Sequence, residues 1–329
     1  MRLTLFCLLF TLLLPAKAVP QPGQGIKVQP LQSSIAEERF QTLLVVRALE
    51  ELGYEVAPVR EMEYASAHQA IASGEATFMA NHWDPLHTDF LLKADPKGRL
   101  IYRQGTYSPE AMQGYLIDRR TAKKHGISRL DQLKDPALAK LFDRDGDGKA
   151  DLTGCNPGWG CARVINHQLQ AYGLTDTVTH HSGDYSALIA DTLARFRKGE
   201  PVLYYTWTPY WIAGLMVPGK DVIWLQVPFS SLPGARADVD TSLPDGSNYG
   251  FQPNDQRIIA NKAFTDANPA AARLFSLMYL SANDISAQNL RMRRGERNKA
   301  DIAGHVDAWI RAHRARFDQW LAEARKAAR

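Results

Sequence analysis

Two segments of the chain repeat the same order of predicted elements and decide the fold class. Residues 64–85 read YASAHQAIASGEATFMANHWDP, and residues 185–209 read YSALIADTLARFRKGEPVLYYTWTP. Each segment predicts a helix, a Gly-Glu turn, a hydrophobic strand and a Trp-x-Pro tripeptide where the strand ends. Helices that alternate with short hydrophobic strands indicate an α/β protein. Because this order occurs twice, we predict two lobes of related construction rather than one continuous sheet.

The residues before the first segment follow the same alternation. A strand is predicted over residues 25–28, an amphipathic helix over 36–52 and a second strand over 54–56. We therefore expect α/β layers built around mostly parallel sheets. In open α/β sheets ligands bind beyond the carboxyl ends of the strands, and Trp83 and Trp207 both occupy that position.

The tryptophans divide into two groups by their local sequence. Trp309 and Trp320 lie among hydrophobic residues at helical spacing, so they are expected to pack in a C-terminal helix. Trp83, Trp159 and Trp207 instead lie beside Pro or Gly at the ends of elements. A quaternary ammonium group has no N–H to donate, and tryptophan offers it the strongest aromatic face. These three tryptophans therefore suggest a site for a methylated cation.

The N-terminus has the pattern of a secretory signal peptide. Arg2 supplies a positive charge, residues 3–14 are apolar but too few to span a bilayer, and residues 16–18 read Ala-Lys-Ala. We predict cleavage after Ala18 and export of a soluble, periplasmic protein. The formal net charge of +4, from 39 Lys and Arg against 35 Asp and Glu, gives no reason to expect a nucleic-acid partner.

Residues 154–161, GCNPGWGC, combine two cysteines with a turn before a predicted helix. In an oxidising compartment Cys155 and Cys161 most simply form one disulfide, and the turn-forming residues between them allow it. The competing interpretation is a secreted hydrolase in which Cys161 is the nucleophile and His87 the base. Free N–H groups at the start of a helix favour an anion. Because no Gly-Lys-Ser/Thr follows, we expect a carboxylate rather than a phosphate.

Five motifs carry a resemblance to a known family. They are residues 83–87 (WDPLH), 133–136 (LKDP), 154–161 (GCNPGWGC), 204–211 (YYTWTPYW) and 304–307 (GHVD). In this order they resemble the periplasmic glycine betaine/proline betaine-binding proteins of osmoprotective ABC uptake systems. The resemblance covers nearly the whole mature chain and implies a type II periplasmic binding protein fold, with two α/β lobes and a ligand cleft between them.

The resemblance also implies a division of the chain and roles for individual residues. Residues 19–112 and 241–329 would form lobe A, and residues 113–240 lobe B. The ammonium group of the ligand would lie between Trp83, Trp159 and Trp207, and its carboxylate would bind His87 and the backbone N–H groups of Gly160 and Cys161. Cys155 would pair with Cys161.

The same resemblance implies the ligand and the partners. The ligand would be glycine betaine or proline betaine, and the partners a membrane permease and its ATPase, with the binding protein itself a monomer. No catalytic residue and no cofactor are expected. Asp84 departs from the family, where a neutral residue such as Thr is expected, so it would either tune affinity or face solvent. A sugar- or peptide-binding exported protein remains an alternative, because it would also place tryptophans in a cleft.

An acidic loop has a chemistry of its own. Asp143, Asp145, Asp147 and Asp151 occupy positions one, three, five and nine of a pattern with Gly148 at six. This is the front of an EF-hand-like calcium loop, although the glutamate expected at position twelve is absent. The sequence therefore predicts a structural calcium site, with a solvated acidic turn as the alternative.

Overall fold

The structure, a computed structural model, describes residues 21–328, so the predicted signal peptide lies outside the described residues. The strands, in chain order, are β1 (Lys27–Val28), β2 (Pro30–Gln32), β3 (Glu55–Val56), β4 (Arg60–Glu61), β5 (Phe78–Asp84), β6 (Ile101–Tyr102), β7 (Ser108–Ala111), β8 (Gln113–Asp118), β9 (Ala150–Thr153), β10 (Val178–His181), β11 (Leu203–Trp207), β12 (Val222–Trp224) and β13 (Asn254–Asn261). The α-helices are α1 (Arg39–Glu51), α2 (Tyr64–Ser73), α3 (Thr88–Ala94), α4 (Arg119–His125), α5 (Pro136–Ala139), α6 (Gly160–Ala171), α7 (Tyr185–Arg197), α8 (Lys262–Ala267), α9 (Pro269–Leu277), α10 (Ala282–Arg293), α11 (Lys299–Ala312) and α12 (Arg314–Ala327). Short 3₁₀ turns cover Ala36–Glu38, Leu130–Lys134, Lys140–Phe142, Trp211–Gly214 and Gly234–Arg236.

The strands form two separate main sheets, as the repeated segments predict. The first has the order β4-β2-β5-β13-β6, with β7 also paired to β13, and the second has the order β10-β9-β11-β8-β12. A small parallel pair, β1 and β3, lies apart from both. The two-lobed α/β fold is therefore confirmed.

Each main sheet is mixed, so the expectation of mostly parallel sheets is wrong. In the first sheet β2 is parallel to β4 and β5, but β13 is antiparallel to β5, β6 and β7. In the second sheet β9 is parallel to β10 and β11, whereas β8 is antiparallel to β11 and β12. A parallel pair needs a crossover connection. Strands β8 and β13 instead begin where the chain has just passed from one lobe to the other, and they pair antiparallel to their neighbours.

Both repeated segments fold as the sequence predicts. In the first, α2 leads through Gly74 to β5; in the second, α7 leads through Gly199 to β11. Both glycines have positive φ (81° and 77°), the left-handed conformation that glycine adopts without steric cost after a helix. Trp83 and Trp207 lie at the carboxyl ends of their strands. The peptide bonds Asp84–Pro85 and Thr208–Pro209, one residue beyond each tryptophan, are both cis.

The chain passes from one sheet to the other at two places. Met112 alone separates β7 of the first sheet from β8 of the second. On the return, the Phe251 ring packs against Tyr115 and Tyr205 of the second sheet, and Asn254 then begins β13 of the first. We propose that the first crossing lies at residues 112–113, as in the sequence-based division, and that the second lies near residue 252 rather than at 241.

The C-terminal region is two helices, not the single helix that the hydrophobic spacing predicts. His313, with φ −119° and ψ 27°, interrupts the helical backbone between α11 and α12. The hydrophobic spacing continues through this break, which is why periodicity does not reveal it. Trp309 and Trp320 are buried and stack with ring centroids 6.0 Å apart, so their expected role in the core is confirmed. Within residues 21–328 the helices are all too short or too polar to cross a bilayer.

Candidate functional site

A cavity lies between the two main sheets. The six ligand-site residues predicted from the sequence all line it: Trp83, Trp159, Trp207, His87, Gly160 and Cys161. Most of the remaining wall is aliphatic or aromatic, with Tyr64, Gln113, Tyr205 and Asn254 as its other polar contributors.

The three tryptophans form a corner of the cavity. The rings of Trp83 and Trp159 each lie at 74° to the ring of Trp207, with centroids 6.5 Å and 5.9 Å from it. All three side chains are buried. Because neighbouring rings are nearly perpendicular, ring faces and ring edges of different orientation border the same space. Such an arrangement can surround a cation on several sides.

The tryptophans differ in how firmly the fold holds them. The Trp207 ring packs against Tyr185 at 4.8 Å, Tyr205 at 6.3 Å and Tyr210 at 4.4 Å, measured between centroids. Trp159 contacts only Tyr185 and Trp207 among the aromatic rings of residues 21–328, each at 5.9 Å. Trp207 therefore belongs to the packing of the second lobe as well as to the cavity, whereas Trp159 belongs mainly to the cavity.

His87 is held by the turn that follows Trp83. The backbone N–H of His87 donates to the carbonyl of Trp83 at 2.7 Å, and the Trp83 N–H donates to the Nδ1 of His87 at 3.2 Å. Burial lowers the pKa of His87 well below its usual range, and the neighbouring His68 and Arg236 add to this effect. The ring is therefore neutral. Since Nδ1 accepts a hydrogen bond, Nε2 carries the proton and is a donor suited to a carboxylate.

The N-terminus of α6 supplies the other donors. Gly160 and Cys161 are its first two residues, and the N–H groups of a first helical turn have no acceptor within the helix. A Cβ at position 160 would lie 3.0 Å from Cγ of Leu86, so the packing of the two lobes leaves little room for a side chain there. The Sγ atoms of Cys161 and Cys155 are adjacent, and the Cα atoms of the two residues are 6.5 Å apart.

The sequence did not point to Glu38 or Tyr64. Glu38 is buried and accepts hydrogen bonds from the indole Nε1 of Trp83 at 3.0 Å and from the Tyr64 hydroxyl at 2.7 Å. The Tyr64 ring packs against His87 with centroids 4.2 Å apart and the two planes tilted by 51°. Glu38 lies in the first turn of the helix predicted over 36–52, between Glu37 and Arg39, so its local pattern is that of a solvent-exposed residue. Only the contact across 45 positions reveals it.

Two further histidines lie beside His87. His68 Nε2 and His82 Nδ1 are 2.9 Å apart, and the Nδ1 of His68 is 2.6 Å from the carbonyl oxygen of Tyr64. Both rings are fully buried, and burial lowers the pKa of His68 to about 4. The two rings are therefore neutral at physiological pH, and they pack against His87 edge to face.

Asp84 points away from the cavity wall. Its carboxylate lies 2.7 Å from the Nε of Arg257 and 3.3 Å from the Nη1 of Arg103. Asp84 is therefore paired with protein cations rather than free in solvent, and its effect on affinity stays a prediction. The two arginines neutralise the carboxylate next to the cavity. This explains how an acidic residue can follow Trp83 directly.

The acidic loop brings part of its predicted set together. Oxygen atoms of Asp143, Asp145 and Asp147 lie within 4.8 Å of one another. Asp151 is buried and contacts His181 and the backbone N–H of Arg144, while one of its oxygens also lies within 4.8 Å of an oxygen of Asp145. Three carboxylates of the loop therefore lie together, whereas the fourth, that of Asp151, contacts other groups of the protein.

Two α/β lobes with a small aromatic cavity between them define a solute-binding protein of the two-lobed type. The chain belongs to the family described as the substrate binding domain of ABC-type glycine betaine transport systems, whose model matches residues 27–312. Substrate binding for transport involves no chemical step, so it needs no cofactor. The hydrolase alternative with Cys161 and His87 is therefore wrong.

Two similar proteins are periplasmic. The chain is 59% identical over 308 residues to the glycine betaine-binding periplasmic protein OusX of Dickeya dadantii (strain 3937), covering 94% of this chain and 92% of that protein. It is 55% identical over 309 residues to the glycine betaine/proline betaine-binding periplasmic protein of Salmonella typhimurium, covering 94% and 93%. Lactococcal OpuAC, solved closed with glycine betaine, shares the fold: its TM-score is 0.68 at 17% identity, covering 90% of this chain and 99% of that chain.

Proposed function

We propose that this chain captures glycine betaine, and related methylated zwitterions such as proline betaine, in the periplasm and delivers it to the permease and ATPase of an ABC transporter for osmoprotection. The observation that supports this is the corner of Trp83, Trp159 and Trp207 in one cavity. The tryptophan faces attract the methylated ammonium, which cannot form hydrogen bonds. A sugar would instead need hydrogen-bonding side chains around the rings, whereas this wall is mostly apolar.

The carboxylate of the ligand would bind at the other end of the cavity. The neutral His87 ring offers Nε2–H, and α6 offers the N–H groups of Gly160 and Cys161 together with the positive end of its dipole. Hydrogen bonds from such donors to a charged acceptor are stronger than those between neutral groups. The two ends together favour a short zwitterion over a simple cation or anion.

Calorimetric titration of the mature protein tests this assignment. We expect glycine betaine to bind at micromolar concentration, and choline, which lacks the carboxylate, to bind more weakly. His87→Ala should weaken the binding of glycine betaine but change the binding of choline little, because only glycine betaine has a carboxylate for His87 to bind. The proposal is wrong if the wild type gives no heat up to millimolar glycine betaine, or if His87→Ala weakens both ligands equally.

We further propose that the chain is exported with cleavage after Ala18 and that the Cys155–Cys161 disulfide forms in the exported protein. The Cα separation of 6.5 Å is compatible with such a bond. The intact mass of protein purified from the periplasm should match a chain that begins at Val19. This mass should rise by about two hydrogens on reduction. Two thiols that react with iodoacetamide before reduction would contradict the disulfide.

We also propose that the acidic loop binds calcium in a structural role, with Asp143, Asp145 and Asp147 as ligands and Asp151 nearby. The convergence of the first three carboxylates supports this. Because calcium would bind only the folded loop, millimolar calcium should raise the melting temperature, and Asp145→Ala should remove the rise. An unchanged melting temperature of the wild type would leave the loop a solvated acidic turn.

A further inference from the structure

A buried carboxylate lies directly behind the aromatic cavity. Glu38, 2% exposed, accepts hydrogen bonds from Ser33 Oγ at 2.6 Å, the Tyr64 hydroxyl at 2.7 Å and the Trp83 Nε1 at 3.0 Å. An indole N–H can only donate, and Ser33 Oγ already accepts from the backbone N–H of Ile35 at 3.0 Å. All three partners are thus placed to donate, which is the pattern that satisfies an ionised carboxylate.

Within the described residues no Lys, Arg or His forms an ion pair with Glu38. The neighbouring Arg39 instead lies 3.9 Å from Glu61. A buried charge without a partner is unfavourable. Burial accordingly raises the pKa of Glu38 to about 7. A cation bound in the cavity would offset this cost.

We propose that Glu38 is a positioning residue for the quaternary ammonium group, one that fixes the Trp83 indole through its N–H and supplies the negative charge that makes the cavity selective for a cation. This inference rests on the proposed function. A hydrogen bond from the indole to an anion polarises the ring and makes its face more negative, which strengthens its attraction for a cation. The charge itself also acts directly, since the surroundings are buried and screening is weak.

Several titratable groups lie near Glu38, and they differ in the pH range over which they titrate. Tyr64 on α2 donates a hydrogen bond to Glu38 directly. Glu37 lies on the same turn and accepts a hydrogen bond from Tyr210 of the second lobe. One ring further away, His87 packs against Tyr64 and His82 against His87. Burial raises the pKa of both tyrosines and lowers the pKa of both histidines, so these four are neutral between pH 6 and 8. Glu37 also has a raised pKa because of burial, which makes it the group to exclude by mutation.

A pair of ligands separates charge from shape. In 3,3-dimethylbutanoate a carbon atom replaces the ammonium nitrogen of glycine betaine, so the two molecules match in shape but differ in charge. At pH 8 we expect Glu38→Gln to weaken the binding of glycine betaine at least tenfold, which corresponds to one pKa unit. The binding of 3,3-dimethylbutanoate should stay unchanged or become tighter. A purely structural role of Glu38 would weaken both ligands by the same factor. Glu75→Gln, an exposed glutamate paired with Arg60, is the matched control and should change neither.

The pH dependence gives a second, independent readout. A cation binds more tightly when Glu38 is ionised, so the dissociation constant for glycine betaine should rise about five- to tenfold from pH 8 to pH 6, on the basis of a pKa near 7. For a tenfold weaker protonated form the rise is about fivefold, and it approaches tenfold as that form ceases to bind. The rise should persist in Glu37→Gln and disappear in Glu38→Gln. If Glu38→Gln does not fold, the wild type and Glu37→Gln decide: a pH-independent affinity in the wild type, or one that becomes pH-independent in Glu37→Gln, contradicts the inference.

The outcomes distinguish this inference from the function on which it rests. Failure of the wild type to bind glycine betaine at pH 8 would overturn the proposed function. Binding by the wild type, together with equal effects of Glu38→Gln on both ligands or an unchanged pH dependence in that variant, would overturn only the role of Glu38.

Discussion

An ion pair connects the two lobes at the edge of the cleft, and removing it should weaken ligand binding without touching the ligand. Asp89 lies on α3 of the first lobe, and its carboxylate is 2.8 Å from Nη2 of Arg163 on α6 of the second. The same carboxylate lies 3.4 Å from the backbone N of Ala235, which also belongs to the second lobe. If the lobes close on the ligand, these contacts exist only in the closed state. Asp89→Asn should therefore shift the equilibrium toward the open state.

The size of the effect follows from the exposure of the pair. The side chains are 18% exposed for Asp89 and 47% for Arg163, so solvent screens their attraction substantially. Partly exposed ion pairs contribute about 0.2–1 kcal/mol. The apparent dissociation constant varies inversely with the fraction of closed protein, so Asp89→Asn should raise it up to about fivefold. The change should appear mainly as faster ligand dissociation, and it should shrink in 1 M salt, where the Debye length is about 3 Å.

Stopped-flow measurement of ligand dissociation, with tryptophan fluorescence as the signal, tests this prediction. Glu75→Gln is the matched control, because its partner Arg60, at 2.7 Å, belongs to the same lobe. That variant should dissociate at the wild-type rate. Arg163→Gln should reproduce Asp89→Asn, and the double variant should lose no more than either single variant. Equal effects of Asp89→Asn and Glu75→Gln, or an effect that survives in the Arg163→Gln background, would refute a role in closure.

Three further predictions follow from the site. Trp159→Ala should weaken glycine betaine by about 2 kcal/mol, or roughly thirtyfold, whereas Trp320→Phe in the C-terminal core should change thermal stability but not the calorimetric affinity. Asp84→Asn should leave the affinity within about twofold, as measured by the same titration, because Asp84 is paired with Arg257 at 2.7 Å outside the cavity; a larger change would show that it acts on the ligand. His68 has a pKa of about 4 in the folded protein and about 6.5 when unfolded, so the unfolded chain binds the proton first as the pH falls. In urea unfolding, the free energy of unfolding should therefore fall by about 3 kcal/mol between pH 6.5 and 4, and His68→Gln should reduce this fall. An equal dependence of the free energy of unfolding on pH in the two proteins would contradict the prediction.

The sequence predicts those parts of the fold and the site that local patterns determine. Trp83 and Trp207 were recognisable because each ends a hydrophobic strand and precedes a proline, and the structure places both at strand ends in one cavity. The N-terminus of α6 was recognisable from its glycines and cysteines. His87 follows Trp83 by one turn, and a reciprocal pair of hydrogen bonds within that turn fixes it.

Other features depend on contacts between distant parts of the chain, which composition and periodicity do not encode. The antiparallel pairing of β13 with β5 is determined by how the chain returns from the second lobe. The break at His313 leaves the hydrophobic spacing intact, because α12 continues to bury residues at the same interval. The partners of Asp84 come from position 103 and from position 257, far along the chain.

Glu38 shows how such a distant contact can govern a site that local patterns reveal. Its carboxylate accepts a hydrogen bond from the indole of Trp83, the ring that we propose faces the cation, so its charge would act on the cavity through that ring. His87, at the other end of the cavity, is kept neutral by burial and presents a proton rather than a charge. A negative group therefore lies behind the tryptophans and neutral donors lie at the opposite end. This polarity matches that of a zwitterion and would orient it, because the reversed ligand would place its carboxylate toward Glu38.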